Sequence, residues 1–77
     1  MATQEQIKAA ATAKIELVYP IYKQLNLLDS VYGEQEINKF RTFRDAVRTR
    51  CHDLELNATE EIEPFEYILS LYSDIAP

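Results

Sequence analysis

The chain has 77 residues, of which 47% are hydrophobic and 27% are charged, with a formal net charge of −5. This length makes one small domain, residues 1–77, and the composition excludes an intrinsically disordered protein. One glycine and three prolines are too few for an all-β domain, which needs a turn roughly every 8–12 residues. We therefore expect an all-α fold of three helices, arranged as a small bundle or an open hairpin.

The first predicted helix begins with a capping box, because Thr3 can cap it and Gln6 can reach back to Thr3. Apolar residues then recur every three or four positions, at Ile7, Ala11, Ile15, Val18, Tyr22 and Leu25. Pro20 interrupts this pattern, since a proline inside a helix removes a backbone hydrogen bond and clashes with the preceding turn. The sequence predicts a first helix that is kinked or broken at Pro20, with residues 20–28 helical again.

The second predicted helix spans about residues 34–56, after a connection at residues 29–33. Its apolar stripe is formed by Ile37, Phe40, Phe43, Val47, Cys51 and Leu54. The middle of this stripe is expected to be the centre of the core. Beside it runs a basic stripe with helical spacing, formed by Arg41, Arg44 and Arg48.

The third predicted helix follows a connection at residues 57–59, with Asn57 or Thr59 as its cap and Pro64 in its first turn. Three glutamates in that turn, where the helix macrodipole favours anions, are Glu60, Glu61 and Glu63. The predicted apolar stripe is Ile62, Phe65, Leu69 and Tyr72, widened by Ile68, Leu71 and Ile75.

Residues suited to catalysis or metal binding are scarce. His52 is the only histidine, and it is adjacent to the only cysteine, Cys51. Neighbours on a helix point about 100° apart, so the two do not face each other as a catalytic pair. The glutamates near residue 60 lack the central glycine of a calcium loop, and no glycine-rich phosphate loop is present. We predict a protein that is not an enzyme, with no catalytic residue, no metal and no cofactor.

The sequence indicates a protein that is intracellular, or at least independent of an oxidising compartment, and that does not use the secretory pathway. A single cysteine cannot form an internal disulfide. No apolar run approaches the ~20 residues of a membrane span. The first residues also lack the basic region of a signal peptide.

Charge is divided unevenly along the chain. Residues 1–52 carry all eight Lys and Arg against six acids, or +2, whereas residues 53–77 carry seven acids and no Lys or Arg, or −7. Such asymmetry indicates that the two segments contact each other or that one contacts a partner. The arginine stripe could accordingly bind nucleic-acid phosphates, acids of the third helix, or an acidic partner. A sequence pI of about 4.7 disfavours nucleic acid.

The chain has more aromatic residues than three short helices can bury. Its five tyrosines are Tyr19, Tyr22, Tyr32, Tyr67 and Tyr72, and there are three phenylalanines. Tyrosine is enriched at interface hot spots. We expect some of this apolar surface to remain exposed and to mark an interface.

Residues 19–28 resemble a recurrent element of small tailed-bacteriophage proteins associated with tail and tail-fibre modules. They read Tyr-Pro-Ile-Tyr-Lys-Gln-Leu-Asn-Leu-Leu, and the family pattern is Tyr-Pro, any residue, Trp, Lys or Arg, Gln, an apolar residue and Asn. Here Tyr22 stands in place of the Trp. The second part of the pattern, aromatic, Asp, Arg and then Leu-Glu, is similar to residues 43–48 and 54–55, with Asp45 one position nearer the aromatic.

The resemblance implies a non-enzymatic virion or assembly component that acts through protein–protein contacts, in several copies. Its partner would be another copy or a phage tail or fibre protein, in the virion or the host cytoplasm, with no membrane involved. A structural tail or fibre-attachment protein and an assembly chaperone are both open. The residues expected to bind the partner are Tyr19, Pro20, Tyr22, Lys23, Gln24 and Asn26, with Arg41, Arg44 and Arg48.

Two alternatives remain open beside this interpretation. The segment after Pro20 could be a local helix break in which amide side chains such as Gln24 satisfy freed backbone groups, with no role in binding. The chain could also be a small nucleic-acid-binding or host-takeover regulatory protein that uses the Arg41, Arg44 and Arg48 stripe.

Overall fold

The computed structural model describes residues 2–28 and 33–77. These residues form four helices and no strand: α1 (Gln4–Val18), α2 (Ile21–Leu28), α3 (Glu34–Glu55) and α4 (Phe65–Ser70). The all-α prediction is confirmed, and α1 and α2 are the two parts of the predicted first helix. Most of the predicted connection at residues 29–33, including Tyr32, lies outside the described residues.

The start of α1 has the predicted capping box. The Thr3 hydroxyl accepts a hydrogen bond from the Gln6 backbone N–H at 3.2 Å, and the Gln6 side chain accepts one from the Thr3 N–H at 3.5 Å. Below the cap, α1 packs its buried Ile7, Ala10 and Ala11 against the rest of the core. The small alanines allow the neighbouring helices to approach closely.

Pro20 breaks the first helix, as predicted. The last bond of α1 runs from the Tyr19 N–H to the Ile15 carbonyl at 2.8 Å, and Tyr19 then leaves the helical region at φ −126° and ψ 85°. A residue before proline is driven out of the α conformation by the proline ring. The Pro20 carbonyl then accepts the first bonds of α2, from the N–H groups of Lys23 and Gln24.

The centre of the core lies on α3. Phe40, Phe43, Val47 and Cys51 are all buried, as the apolar stripe predicts. The Tyr19 ring lies edge-on to Phe40, with ring centroids 4.9 Å apart. Both α1 and α2 contact α3, and α4 packs in turn on α1, so the buried residues of all four helices form one core.

The apolar stripe predicted across Pro20 is wrong beyond Val18. Tyr22 and Leu25 belong to the predicted stripe but are 69% and 55% exposed, whereas Tyr19 and Leu27 are buried. The break reorients α2, so a spacing of three or four residues that runs through Pro20 no longer marks a single face.

The third helix begins later than predicted, at Phe65 with Pro64 as its N-cap, and the expected cap at Asn57 or Thr59 is wrong. Residues upstream are held by tertiary hydrogen bonds: the Gln6 side chain donates to the Glu63 carbonyl at 2.8 Å and accepts from its N–H at 3.2 Å. These contacts compete with helical bonding, since each backbone group takes its partner from α1. Ile62 is consequently 84% exposed rather than in the core.

The C-terminal segment is fixed by Ile68 of the short helix α4 and by Tyr72, which follows that helix. Ile68 and Tyr72 are fully buried, and the Tyr72 hydroxyl donates to the Ile7 carbonyl at 3.0 Å. A buried tyrosine hydroxyl requires such a partner. The C-terminal segment is thereby joined to the first turns of α1.

Candidate protein-binding site

Exposed apolar side chains cluster on α2. Ile21, Tyr22 and Leu25 are 55%, 69% and 55% exposed, and they are neighbours on one side of the helix. We call these three residues the α2 face. Leu17, near the end of α1, is 70% exposed as well. Large apolar side chains grouped in this way are typical of an interaction surface.

The α2 face was only partly predicted. Tyr22 was among the expected partner-binding residues, but Ile21 and Leu25 were missed because the apolar pattern was continued through Pro20. Restarting the helical count at Ile21 finds the face, since Leu25 follows Ile21 by four residues and Tyr22 by three, and residues at these spacings are neighbours on a helix surface.

Tyr19 was expected to bind a partner, and this is corrected by its position in the core. It is only 6% exposed and packs between Phe40 and Phe43, whose ring centroids lie 4.9 and 5.6 Å from its own. The neighbouring polar residues support this burial. The Lys23 ammonium lies 5.2 Å over the Tyr19 ring, and the Gln24 amide donates to the Tyr19 carbonyl at 2.7 Å.

The expected partner-binding residues near the break therefore divide into two groups. Tyr19, Lys23 and Gln24 make contacts within the chain, and the Gln24 bond satisfies a carbonyl left free where α1 ends. Pro20 and Asn26 are half-buried. Tyr22 is the member that presents most of its surface to solvent.

The arginine stripe of α3 lies mostly in solvent. Arg44 is half-buried, with its guanidinium 3.4 Å from the Asp45 carboxylate and 5.5 Å from the Phe40 ring centroid. Arg41 and Arg48 are exposed, and neither forms an ion pair with any residue that the structure describes. The interpretation in which this stripe pairs with acids of the third helix therefore has no support within the described residues.

Residues 1–52 and residues 53–77, whose net charges are opposite, instead contact each other at Arg50. Its guanidinium donates two hydrogen bonds of 2.8 Å to the Asp74 carboxylate, and one of 2.6 Å to the Leu71 carbonyl at the end of α4. The bond to Arg50 lowers the pKa of Asp74 from 3.8 to about 2. This fork-shaped contact fixes the end of α4 against α3.

A groove runs between α1 and α3 beside the arginine stripe. It consists of two adjoining cavities of about 340 and 180 Å³ that share Thr12, Ile15 and Arg48. We call it the α1–α3 groove. The larger cavity is also lined by Lys8, Ala11, Cys51, His52 and Glu55, and the smaller by Glu16, Ile21, Gln24 and Arg44. Ile21 thus belongs to both the groove and the α2 face.

The groove contains Cys51 and His52. Cys51 is buried, as the apolar stripe of the second predicted helix indicates, and His52 is exposed. The Cys51 thiol donates to the Glu55 carboxylate at 3.2 Å. Burial and this bond raise the pKa of Cys51, which keeps the thiol protonated. A protonated thiol is a poor nucleophile.

Neither a metal site nor a membrane segment appears in the described part of the chain. No three His, Cys, Asp or Glu side chains of residues 2–28 and 33–77 are grouped so that they could hold a metal ion. None of the helices formed by those residues has the length and apolar character needed to cross a membrane.

Comparisons with known proteins add no relative. No family model, no curated protein and no solved structure matches the chain. The resemblance to phage tail proteins rests on residues 19–28 and 43–55 alone.

Proposed function

We propose that the chain is a non-enzymatic protein-binding module and that the α2 face is its main contact surface. The observation that carries this proposal is the division of the tyrosines around Pro20. Tyr19 is buried, whereas Tyr22, on the next turn, is 69% exposed between two other exposed apolar side chains. Burying such a side chain against a partner stabilises a complex by about 1.5–3 kcal/mol.

The break at Pro20 supports a binding role because it is costly to maintain. A proline at this position costs a continuous helix about 3 kcal/mol. Its effect here is to direct Ile21, Tyr22 and Leu25 away from the core. A chain selected only for stability would gain from the uninterrupted stripe that its apolar spacing would allow.

The resemblance of residues 19–28 to phage tail and tail-fibre proteins supports a role in a phage particle or in its assembly. Within that role, a structural tail or fibre-attachment protein would remain in the virion, whereas an assembly chaperone would leave before completion. Mass spectrometry of purified particles and of assembly intermediates separates the two. A structural protein is expected in fixed stoichiometry in the particle, and a chaperone only in the intermediates.

A tyrosine substitution tests the α2 face directly. Tyr22→Ala is expected to weaken binding to the particle component by about 2 kcal/mol, roughly thirtyfold in Kd, with unchanged helix content by circular dichroism. Tyr67→Ala is the matched control, since Tyr67 is 46% exposed on α4, and it should leave the Kd unchanged. Loss of helix content in Tyr22→Ala, or equal Kd values for both variants, would count against the proposal.

Binding of nucleic acid is the second candidate, and it is supported by the exposure of Arg41 and Arg48 without ion pairs among the described residues. The net charge of −5 opposes it. A titration with duplex DNA at several salt concentrations decides the matter. Phosphate binding would give an affinity that falls steeply with salt and is reduced in Arg48→Ala.

A further inference from the structure

The smaller cavity of the α1–α3 groove is lined by two isoleucines and two arginines, together with polar residues of α1 and α2. Ile15 and Ile21 are its apolar lining, and Arg44 and Arg48 line it from α3. Glu16 also borders it, on the α1 side. At about 180 Å³ the cavity is below the ~300–1,000 Å³ of typical small-molecule sites. These features suit a single apolar side chain that carries acidic neighbours.

A segment with this chemistry lies elsewhere on the same chain. Ile62 is 84% exposed, more than any other large apolar side chain described, and Glu60, Glu61 and Glu63 surround it in sequence. We call residues 60–63 the acidic segment.

The acidic segment is held out of helical conformation at both of its ends. The Thr59 N–H donates to the Ala2 carbonyl at 3.0 Å. The Gln6 side chain holds both backbone groups of Glu63. Ile62 is therefore presented on an ordered backbone, which lowers the entropy that binding must overcome.

The acidic segment cannot reach the basic cavity of its own chain. Gln6, which holds Glu63, and Ile15, which borders the cavity, are nine residues apart on α1, or about 13 Å at 1.5 Å per residue. The molecule is elongated, with extents of 42 × 19 × 17 Å. The acidic segment lies at the end where α1 begins, and the cavity lies toward the end where α2 begins.

We propose that the acidic segment of one copy docks into the basic cavity of a second copy, with Ile62 against Ile15 and Ile21 and with Glu60 and Glu63 beside Arg44 and Arg48. This inference deepens the proposed binding role by naming another copy of the chain as a partner. The two contact surfaces differ, so the contact is head-to-tail. It generates a ring where the rotation closes and an open chain where it does not.

Sedimentation velocity of the full chain, over a wide concentration range and at low and high salt, tests the contact. The wild-type chain should form species larger than the monomer that dissociate as salt screens the glutamate–arginine pairs. Ile62→Asn and Arg48→Glu should each abolish these species while retaining the wild-type circular dichroism spectrum. The matched controls are Leu56→Asn, an apolar residue that is 73% exposed, and Arg41→Glu, an exposed arginine of the same helix, and both should assemble like wild type.

Mixing the two defective variants tests the head-to-tail geometry. Ile62→Asn retains an intact cavity and Arg48→Glu retains an intact acidic segment, so an equimolar mixture should give a 1:1 pair and nothing larger. A wild-type chain that stays monomeric, variants that assemble like wild type, or a mixture that stays monomeric or grows beyond a pair would each overturn the inference. None of these results bears on the α2 face, which Tyr22→Ala tests separately against the particle component.

Discussion

Replacing Pro20 by alanine should change which residues of α2 are buried. With an N–H restored at position 20, α1 can continue through the break without the cost of about 3 kcal/mol that a proline inside a helix imposes. In a continuous helix Tyr22 and Leu25 lie on the same side as Ile15 and Val18, facing α3. Leu27, which is 4% exposed in the broken helix, turns away from the core.

The balance of burial favours the straight helix in this variant. Two side chains, Tyr22 and Leu25, gain burial and one, Leu27, loses it, and each is worth about 1.5–3 kcal/mol when fully buried. For these three side chains, the change in burial does not oppose the straight helix. Pro20→Ala should therefore be at least as stable as wild type, with higher helix content and a covered Tyr22.

Nitration by tetranitromethane followed by peptide mass spectrometry measures this change residue by residue. In the wild-type chain Tyr22 should be modified readily and Tyr19 should be protected, as their exposures of 69% and 6% require. In Pro20→Ala, Tyr22 should become protected and binding through the α2 face should weaken. Pro77→Ala is the control, because the last residue lies outside all four helices. Equal nitration of Tyr22 in Pro20→Ala and wild type would refute the reasoning.

Two further predictions concern the stability of the fold. Phe43→Ala should lower the free energy of unfolding by about 3–5 kcal/mol, because Phe43 is 2% exposed, whereas Arg41→Ala should leave it unchanged; similar losses in urea denaturation would show that the core is wrongly placed. Asp74 has a folded pKa of about 2, below its usual 3.8, so the stability that it contributes is present above pH 3.8 and is lost as the pH falls toward 2. Asp74→Asn should lack this loss in acid melting curves, and an identical pH profile for the two proteins would contradict the prediction.

Sequence periodicity located the helices and the core of α3 because each pattern there lies within one unbroken helix. The stripe from Phe40 to Cys51 needs no information from outside α3, since a helical repeat fixes which residues share a face. The break at Pro20 was equally visible, because proline acts through its own covalent structure. The direction of α2 after the break was not visible in the sequence, since it depends on how Tyr19 and Leu27 pack in the core.

The late start of α4 is a second feature that local sequence patterns could not predict. Acids, a proline and an apolar stripe all favour a helix that begins near residue 60. The Gln6 side chain overrides this local preference through two hydrogen bonds to Glu63, which is 57 residues away in sequence. No pattern within residues 57–77 contains that information. Nor does the pattern on α1, since a capping glutamine has the same sequence signature whether or not its amide also binds a distant backbone group.

The charge asymmetry predicted that the two segments meet each other or that one meets a partner, and the structure contains a feature for each possibility. Arg50 and Asp74 join the segments within the chain. Arg48 stays without an ion pair among the described residues, while Ile62 and its flanking glutamates lie at the other end of an elongated molecule. Because these groups lie at opposite ends of one copy, they can approach each other only between two copies. The proposed head-to-tail contact would bring them together.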